Sequence, residues 1–135
     1  MSLFNVFDIS GSALRAQAIR LNTTAGNMAN IDSISSSTAT TYRARQPVFA
    51  AQLDAAEGEP GGVEVLGIVE SQAPLRREYR PDHPLADSQG YVNLPNVNPV
   101  EEMANMISAS RSYQSNVEVF NTSKQMLMRT LSLGE

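Results

Sequence analysis

Few residues in this chain of 135 could do chemistry, and their spacing argues against each reaction they suggest. His83 is the only histidine and stands between Asp82 and Pro84. A transition-metal centre needs several nitrogen, sulfur or carboxylate ligands. With one imidazole and no cysteine in the chain, His83 reads as a turn residue. Glu101 and Glu102 suggest an acid/base pair for peptidoglycan cleavage, but adjacent helical residues project about 100° apart and do not face one another. Capping and the positive end of the helix dipole account for them better. Glu57 and Glu59 fall in a Gly/Pro turn and read as solvated. The serines lack a Gly-x-Ser-x-Gly elbow, and Gly61-Gly62 is a turn, not a phosphate loop. Arg76, Arg77 and Arg80 form the one basic cluster, diluted by Glu78 and Asp82. They read as a solvated strand face or, more sharply, as a contact for an acidic patch on a neighbouring chain. Met103, Met106, Met126 and Met128 are adaptable packing residues, not a ligand groove. The sequence therefore predicts no enzyme: no catalytic residue, no metal, no cofactor and no small-molecule substrate.

Composition narrows the partners. The net charge is −4, unlike the basic footprint of a nucleic-acid binder, so no nucleic acid is expected. An apolar fraction of 41% argues against disorder throughout. The absence of cysteine leaves the chain indifferent to redox compartment. Met1 to Asp8 has neither a positive n-region nor an apolar run, so no cleaved signal peptide is expected. No window reaches the roughly 18 apolar residues of a membrane span.

Three zones position these residues, with boundaries expected at 1–33, 34–97 and 98–135. The first reads as a helix over about residues 4–31. Phe7, Leu14, Leu21 and Met28 form one row of a seven-residue repeat, and Gly11, Ala18 and Ala25 a second, smaller row. The last zone opens on Asn98-Pro99-Val100-Glu101, with Asn98 as N-cap, Pro99 at N1 and Glu101 able to reach back to the cap. From there Met106, Tyr113, Phe120 and Leu127 repeat every seven residues. Met103, Ser110, Val117, Lys124 and Leu131 form a second row, and Gly134 can end the helix. At 1.5 Å per residue the two rods would run about 40 and 50 Å.

Between them a Ser/Thr-rich linker, Ser33 to Thr41, leads to strand-like runs at Tyr42 to Leu53 and Val63 to Glu70. Gly67 marks a bulge, and Gly58-Glu59-Pro60-Gly61-Gly62 is the turn between the runs. Glu78-Tyr79-Arg80 adds a short third strand, broken by Pro81-Asp82-His83-Pro84, and Gly90-Tyr91-Val92 leads on to the last helix. The predicted fold is mainly α within an α+β class: an antiparallel coiled coil of the two terminal helices with a small, hairpin-rich β insertion.

The covering of those helices is unusual. Residues 1–33 hold four charges, Asp8, Arg15, Arg20 and Asp32, against eleven Ser, Thr, Asn or Gln residues. Residues 98–135 hold seven charges against fourteen such neutral polar residues. Neutral polar surface desolvates at lower cost than charged surface and can pair with neighbouring copies. Two helices also lack the third element that completes a core. The missing packing is therefore expected from other subunits.

Specific segments carry a resemblance. Leu21-Asn22-Thr23-Thr24-Ala25-Gly26-Asn27-Met28-Ala29-Asn30 resembles the N-terminal signature of flagellar rod, hook and hook-associated proteins, with Met28 where Leu is usual. Within that family the ordered set is most similar to the proximal rod members. The set comprises Tyr42-Arg43-Ala44-Arg45-Gln46, Glu70-Ser71-Gln72-Ala73-Pro74, His83-Pro84-Leu85-Ala86-Asp87, Gly90-Tyr91-Val92 and Leu94-Pro95-Asn96-Val97. It closes with Ser108-Ala109-Ser110-Arg111-Ser112-Tyr113-Gln114-Ser115-Asn116.

The resemblance implies that the terminal helices pack as an inner tube domain with the middle facing outward. It implies export through the flagellar type III apparatus without a cleaved signal, and assembly across the periplasm into the axle that transmits motor torque. The implied partners are other copies, homologous rod proteins, the adapter protein at the membrane ring, and the rings around the rod. Two rival readings have a different character: a soluble helical chaperone or adaptor of the export system, and a small cell-wall hydrolase.

Overall fold

The computed structural model describes residues 3–53 and 60–134. The element order is α1 (Leu3–Ala29), β1 (Arg45–Leu53), β2 (Pro60–Glu70), β3 (Arg76–Tyr79), β4 (Tyr91–Leu94) and α2 (Pro99–Leu133). It is the α+β, mainly helical architecture expected from the sequence: two long terminal helices with antiparallel hairpins between them.

α2 begins where its sequence requires. Asn98 stays extended, and its side-chain oxygen accepts from the Val100 N–H at 3.1 Å and the Glu101 N–H at 3.5 Å, with Pro99 opening the helix. The expected return bond from Glu101 is absent among the described residues. At the other end Gly134 closes the helix through its N–H to the Leu131 carbonyl at 3.2 Å, in right-handed and not left-handed geometry.

The helices run antiparallel. The Phe7 and Phe120 rings meet edge to face with centroids 4.9 Å apart, an arrangement worth about 0.5–1.5 kcal/mol beyond the area it buries. About 20 Å further along, by the ~1.5 Å rise per residue, Arg20 Nη2 donates to Asn105 Oδ1 at 3.1 Å. The same register sets Leu3 opposite about residue 124, so α2 runs roughly two and a half turns beyond the described start of α1.

The second face of α1 is covered by the β1–β2 hairpin. Ser12 makes this contact: its hydroxyl donates to the Ile9 carbonyl at 2.8 Å and accepts from the Val63 N–H at 3.0 Å. Gly62, at φ +140°, lies so close to Ser12 that a Cβ would overlap its hydroxyl. Along the hairpin Val48 pairs with Gly67 and Phe49 with Val65, so Leu66 is the extra residue of a bulge beside Gly67. A second irregularity lies between Gln52 and Leu53. β1 starts at Arg45, three residues later than the Tyr42 run predicted; of the expected turn Gly58-Glu59-Pro60-Gly61-Gly62, the last three residues instead open β2, paired with the end of β1, and Gly58 and Glu59 lie outside the described residues. Glu57 lies outside them too.

Gly90-Tyr91-Val92 does more than lead to α2. Tyr91 to Leu94 is β4, paired antiparallel with β3 from Tyr79↔Tyr91 to Arg76↔Leu94. A run this short, with Gly before it and Pro after it, carries almost no periodicity to announce a strand. β4 is nonetheless the most deeply covered stretch of the chain: Val92, Leu94, Pro95 and Val97 are buried, together with Ala44. The densest packing therefore sits at the junction where α1 ends, the linker returns and α2 begins, and not along the coiled coil.

Candidate assembly surface

The junction explains half of the N-terminal signature. Asn27 is 1% exposed. Its Nδ2 donates to the Arg45 carbonyl at 2.8 Å, while its Oδ1 accepts from the Arg45 N–H at 2.9 Å and from the Tyr42 hydroxyl at 2.8 Å. One amide side chain thus pairs with both polar groups of a single residue, as a strand partner would. Asn30 closes α1: its Nδ2 donates to the Gly26 carbonyl at 2.8 Å. Asn96 does the same work from the other side, accepting from the Ala44 N–H at 2.8 Å and donating to the Ala73 carbonyl at 2.9 Å. Burial pushes the Tyr42 hydroxyl above its ordinary pKa, Arg45 opposes this, and Glu102 and Glu70 add to it.

The central segment is built as turns. His83 Nδ1 accepts from the Leu85 N–H at 3.1 Å, and its carbonyl accepts from Ala86 at 3.0 Å. Asp87 Oδ1 accepts from the Gln89 and Tyr91 N–H groups, both at 2.9 Å, and Oδ2 takes the Arg77 guanidinium at 2.8 Å. The Tyr91 N–H is the largest influence holding the Asp87 carboxyl below the usual range. Gly90, at φ +82°, lets the chain pass Tyr79 and Pro81: a Cβ there would stand 2.8 Å from Tyr79 Cε2. Pro84 is exposed, Ala86 half-buried, and Tyr91 meets Tyr79 edge to face with centroids 5.3 Å apart and lies under Arg77 at 4.8 Å. The basic cluster is dispersed: Arg76 donates to the Ile31 carbonyl at 3.3 Å, Arg77 pairs with Asp87, and Arg80 with Glu78 at 3.1 Å. Among the described residues no group of three or more His, Cys, Asp or Glu is placed to hold a metal ion, and no helix is long and apolar enough to cross a membrane.

On the helices one predicted row and its neighbour fare differently. Phe7, Leu14, Leu21 and Met28 on α1, and Met106, Phe120 and Leu127 on α2, are all partly covered, with Tyr113 just exposed. The second rows differ. Ala25 is exposed, as are Met103 and Leu131 at 53% and 65%. Ala18, Ser110 and Val117 lie at the margin, half-buried. The buried second rows run one residue earlier: Ser10 and Thr24 on α1, and Glu102, Ala109 and Ser123 on α2. On α1 the reason is the hairpin. By covering a second face of α1 it turns the buried arc toward small polar side chains, which a search for apolar rows passes over.

This leaves two surfaces. On α1 a stripe of Phe4, Asp8, Arg15, Asn22 and Ala29 is open. On α2 the open face is far larger and includes Arg111 and a run of apolar side chains: Val100, Met103, Ile107, Val119, Met126 and Leu133, the last 87% exposed. Asn116 is half-buried and its Nδ2 donates back to the Ser112 carbonyl at 2.8 Å. Val100, Met103 and Ile107 share one face of α2, and Val119, Met126 and Leu133 a second about 100° round the helix; exposed apolar patches of this kind mark surfaces that another protein covers. Fold and surface together define a structural, polymerising class: a helical pair finished by neighbours.

The comparisons with known proteins agree. Residues 7–33 match the family described as "Flagella basal body rod protein", and residues 88–133 match "Flagellar basal body rod FlgEFG protein C-terminal". The chain is 55% identical over 136 residues to the flagellar basal-body rod protein FlgC of Salmonella typhimurium, each chain covered in full. It is 54% identical to FlgC of Yersinia enterocolitica and 44% identical to FlgC of Buchnera aphidicola from Acyrthosiphon pisum, again over the whole of both chains. The chain belongs to the FlgC family of flagellar basal-body rod proteins.

Proposed function

We propose that this chain is a structural subunit of the proximal flagellar rod. It polymerises through the α1–α2 pair into the wall of the axle that transmits motor torque and encloses the export channel. The observation that carries the reading is the uncovered apolar face of α2, on a helix whose own partner covers only one side. Residues 1–33 and 98–135 form the inner, tube-building part, and 34–97 faces outward. The neighbours are further copies and homologous rod proteins, with the adapter protein of the membrane ring at one end and the surrounding rings outside. The chain reaches the periplasm-spanning rod through the flagellar export apparatus.

The test uses substitutions that touch assembly alone. Ile107 is 57% exposed and Met126 is 49% exposed. Ile107→Asp and Met126→Asp should leave the far-ultraviolet circular dichroism of the purified chain unchanged and abolish rod formation and swimming in cells that depend on it. Intact basal bodies and normal swimming with both variants would remove the α2 face from the assembly.

A further inference from the structure

The fold leaves two signature residues idle. Asn22, in the segment Leu21 to Asn30, and Arg111, in the segment Ser108 to Asn116, are both exposed. Among the described residues neither makes a hydrogen bond or an ion pair. Each belongs to a row. On α1 the open stripe carries Asp8, Arg15 and Asn22 at seven-residue spacing, between the face that α2 covers and the face that the β1–β2 hairpin covers. On α2 Arg111, Glu118 and Gln125 repeat at the same spacing, all exposed. Each follows by two residues a covered position: Ala109, Asn116 and Ser123. Two residues turn about 200° round a helix, so this row looks away from α1. Asp8, Arg15, Glu118 and Gln125 are also without a hydrogen bond or ion pair among the described residues.

The two rows complement each other. In a wall whose subunits all point the same way, α1 of one subunit lies antiparallel to α2 of the next, as the two helices do within the chain. Setting Asn22 against Arg111 in that orientation brings Arg15 opposite Glu118 and Asp8 opposite Gln125. The guanidinium of Arg111 then donates to the Asn22 amide oxygen, Arg15 pairs with the Glu118 carboxylate, and the Gln125 amide donates to Asp8. No like charges meet. The positions between, Gly11 and Ala18, fall opposite Thr122 and Ser115, so small side chains let the backbones approach. α2 lies in the part of the chain that matches the rod family, so homologous neighbours carry a helix of the same kind.

We propose that the Asp8, Arg15 and Asn22 stripe of α1 seats the C-terminal helix of the laterally adjacent rod subunit, with Asn22 set against the arginine that Arg111 marks. The inference rests on the rod reading and adds to it the register of one side-by-side contact. Two different faces meet, as the wall of a tube requires.

A benzophenone-bearing amino acid takes the place of Asn22 in the full chain, expressed in cells that lack the native protein. Irradiation of the recovered basal bodies should join position 22 to a C-terminal helix, within one turn of the residue aligned with Arg111, in another copy or a homologous rod subunit. Mass spectrometry of the joined peptides reads the site. Two charge variants test the chemistry without the bulky probe. Asn22→Asp sets a carboxylate against the arginine and should keep the number of basal bodies per cell within about twofold of the parent, whereas Asn22→Lys sets like charges together and should lower it at least about tenfold. Asn22 is exposed, so circular dichroism of the purified chain should not distinguish the two variants. Cross-links that fall only on N-terminal helices or central segments, or equal numbers of basal bodies with Asn22→Asp and Asn22→Lys, overturn this register and leave the rod reading standing. Absence of the parent chain from basal bodies overturns both.

Discussion

Replacing Asn27 by alanine should loosen the junction while leaving both helices' sequences otherwise intact. The side chain makes three hydrogen bonds, to the Arg45 N–H, the Arg45 carbonyl and the Tyr42 hydroxyl, from a position 1% exposed. At about 1 kcal/mol for each bond the loss is about 3 kcal/mol. A loss of about 3 kcal/mol is a large part of the 5–15 kcal/mol that typically holds a domain together. It should raise amide exchange at Arg45 and along β1 by more than about a hundredfold, since each 1.4 kcal/mol is tenfold. Urea unfolding of the full chain, followed by circular dichroism and by exchange, measures both. Asn22→Ala is the control, because Asn22 belongs to the same sequence signature but is exposed; it should change stability by less than about 0.5 kcal/mol. A loss below about 1 kcal/mol at position 27, or equal losses at 22 and 27, would refute the assignment of Asn27 as the pin between α1 and β1.

Gly90→Ala should destabilise by about 1–3 kcal/mol, since it combines a positive φ with a Cβ 2.8 Å from Tyr79 Cε2; thermal melts of the two proteins decide it. Asp87 is held ionised below its ordinary range, first by the Tyr91 N–H, so its contribution is present above about pH 4 and fades as pH falls through the lowered value. Amide exchange at Gln89 and Tyr91 should accelerate there in the parent, while Asp87→Asn should show fast exchange with no acid transition. Tyr42 is shifted the other way by burial. The stability its neutral hydroxyl supplies is intact below about pH 10 and disappears as pH climbs through the raised value, which an alkaline melt series tests. Phe120→Ala removes a half-buried ring and its edge contact with Phe7. Denaturant titration should register about 2–3 kcal/mol, below the 3–5 typical of a fully buried ring.

The sequence by itself determined what is local or repeated. The N-cap at Asn98 and the 35-residue length of α2 follow from capping chemistry and helical periodicity, and the bulge beside Gly67 from a glycine inside a strand run. The ordered motifs were enough to point to the family that the full-length relatives establish. Tertiary structure decided the rest. β4 is too short for its period to be read, yet it is the best covered strand because the junction closes over it. Asn27 and Asn22 look equivalent in the sequence, but only the position that faces the returning chain at Arg45 becomes a pin. The second rows of both helices fall on Ser10 and Thr24, and on Glu102, Ala109 and Ser123, one residue before the rows that apolarity selects. A helix's own periodicity fixes how its residues are grouped into faces; which face is buried depends on where the other elements press, and that is a property of the whole fold.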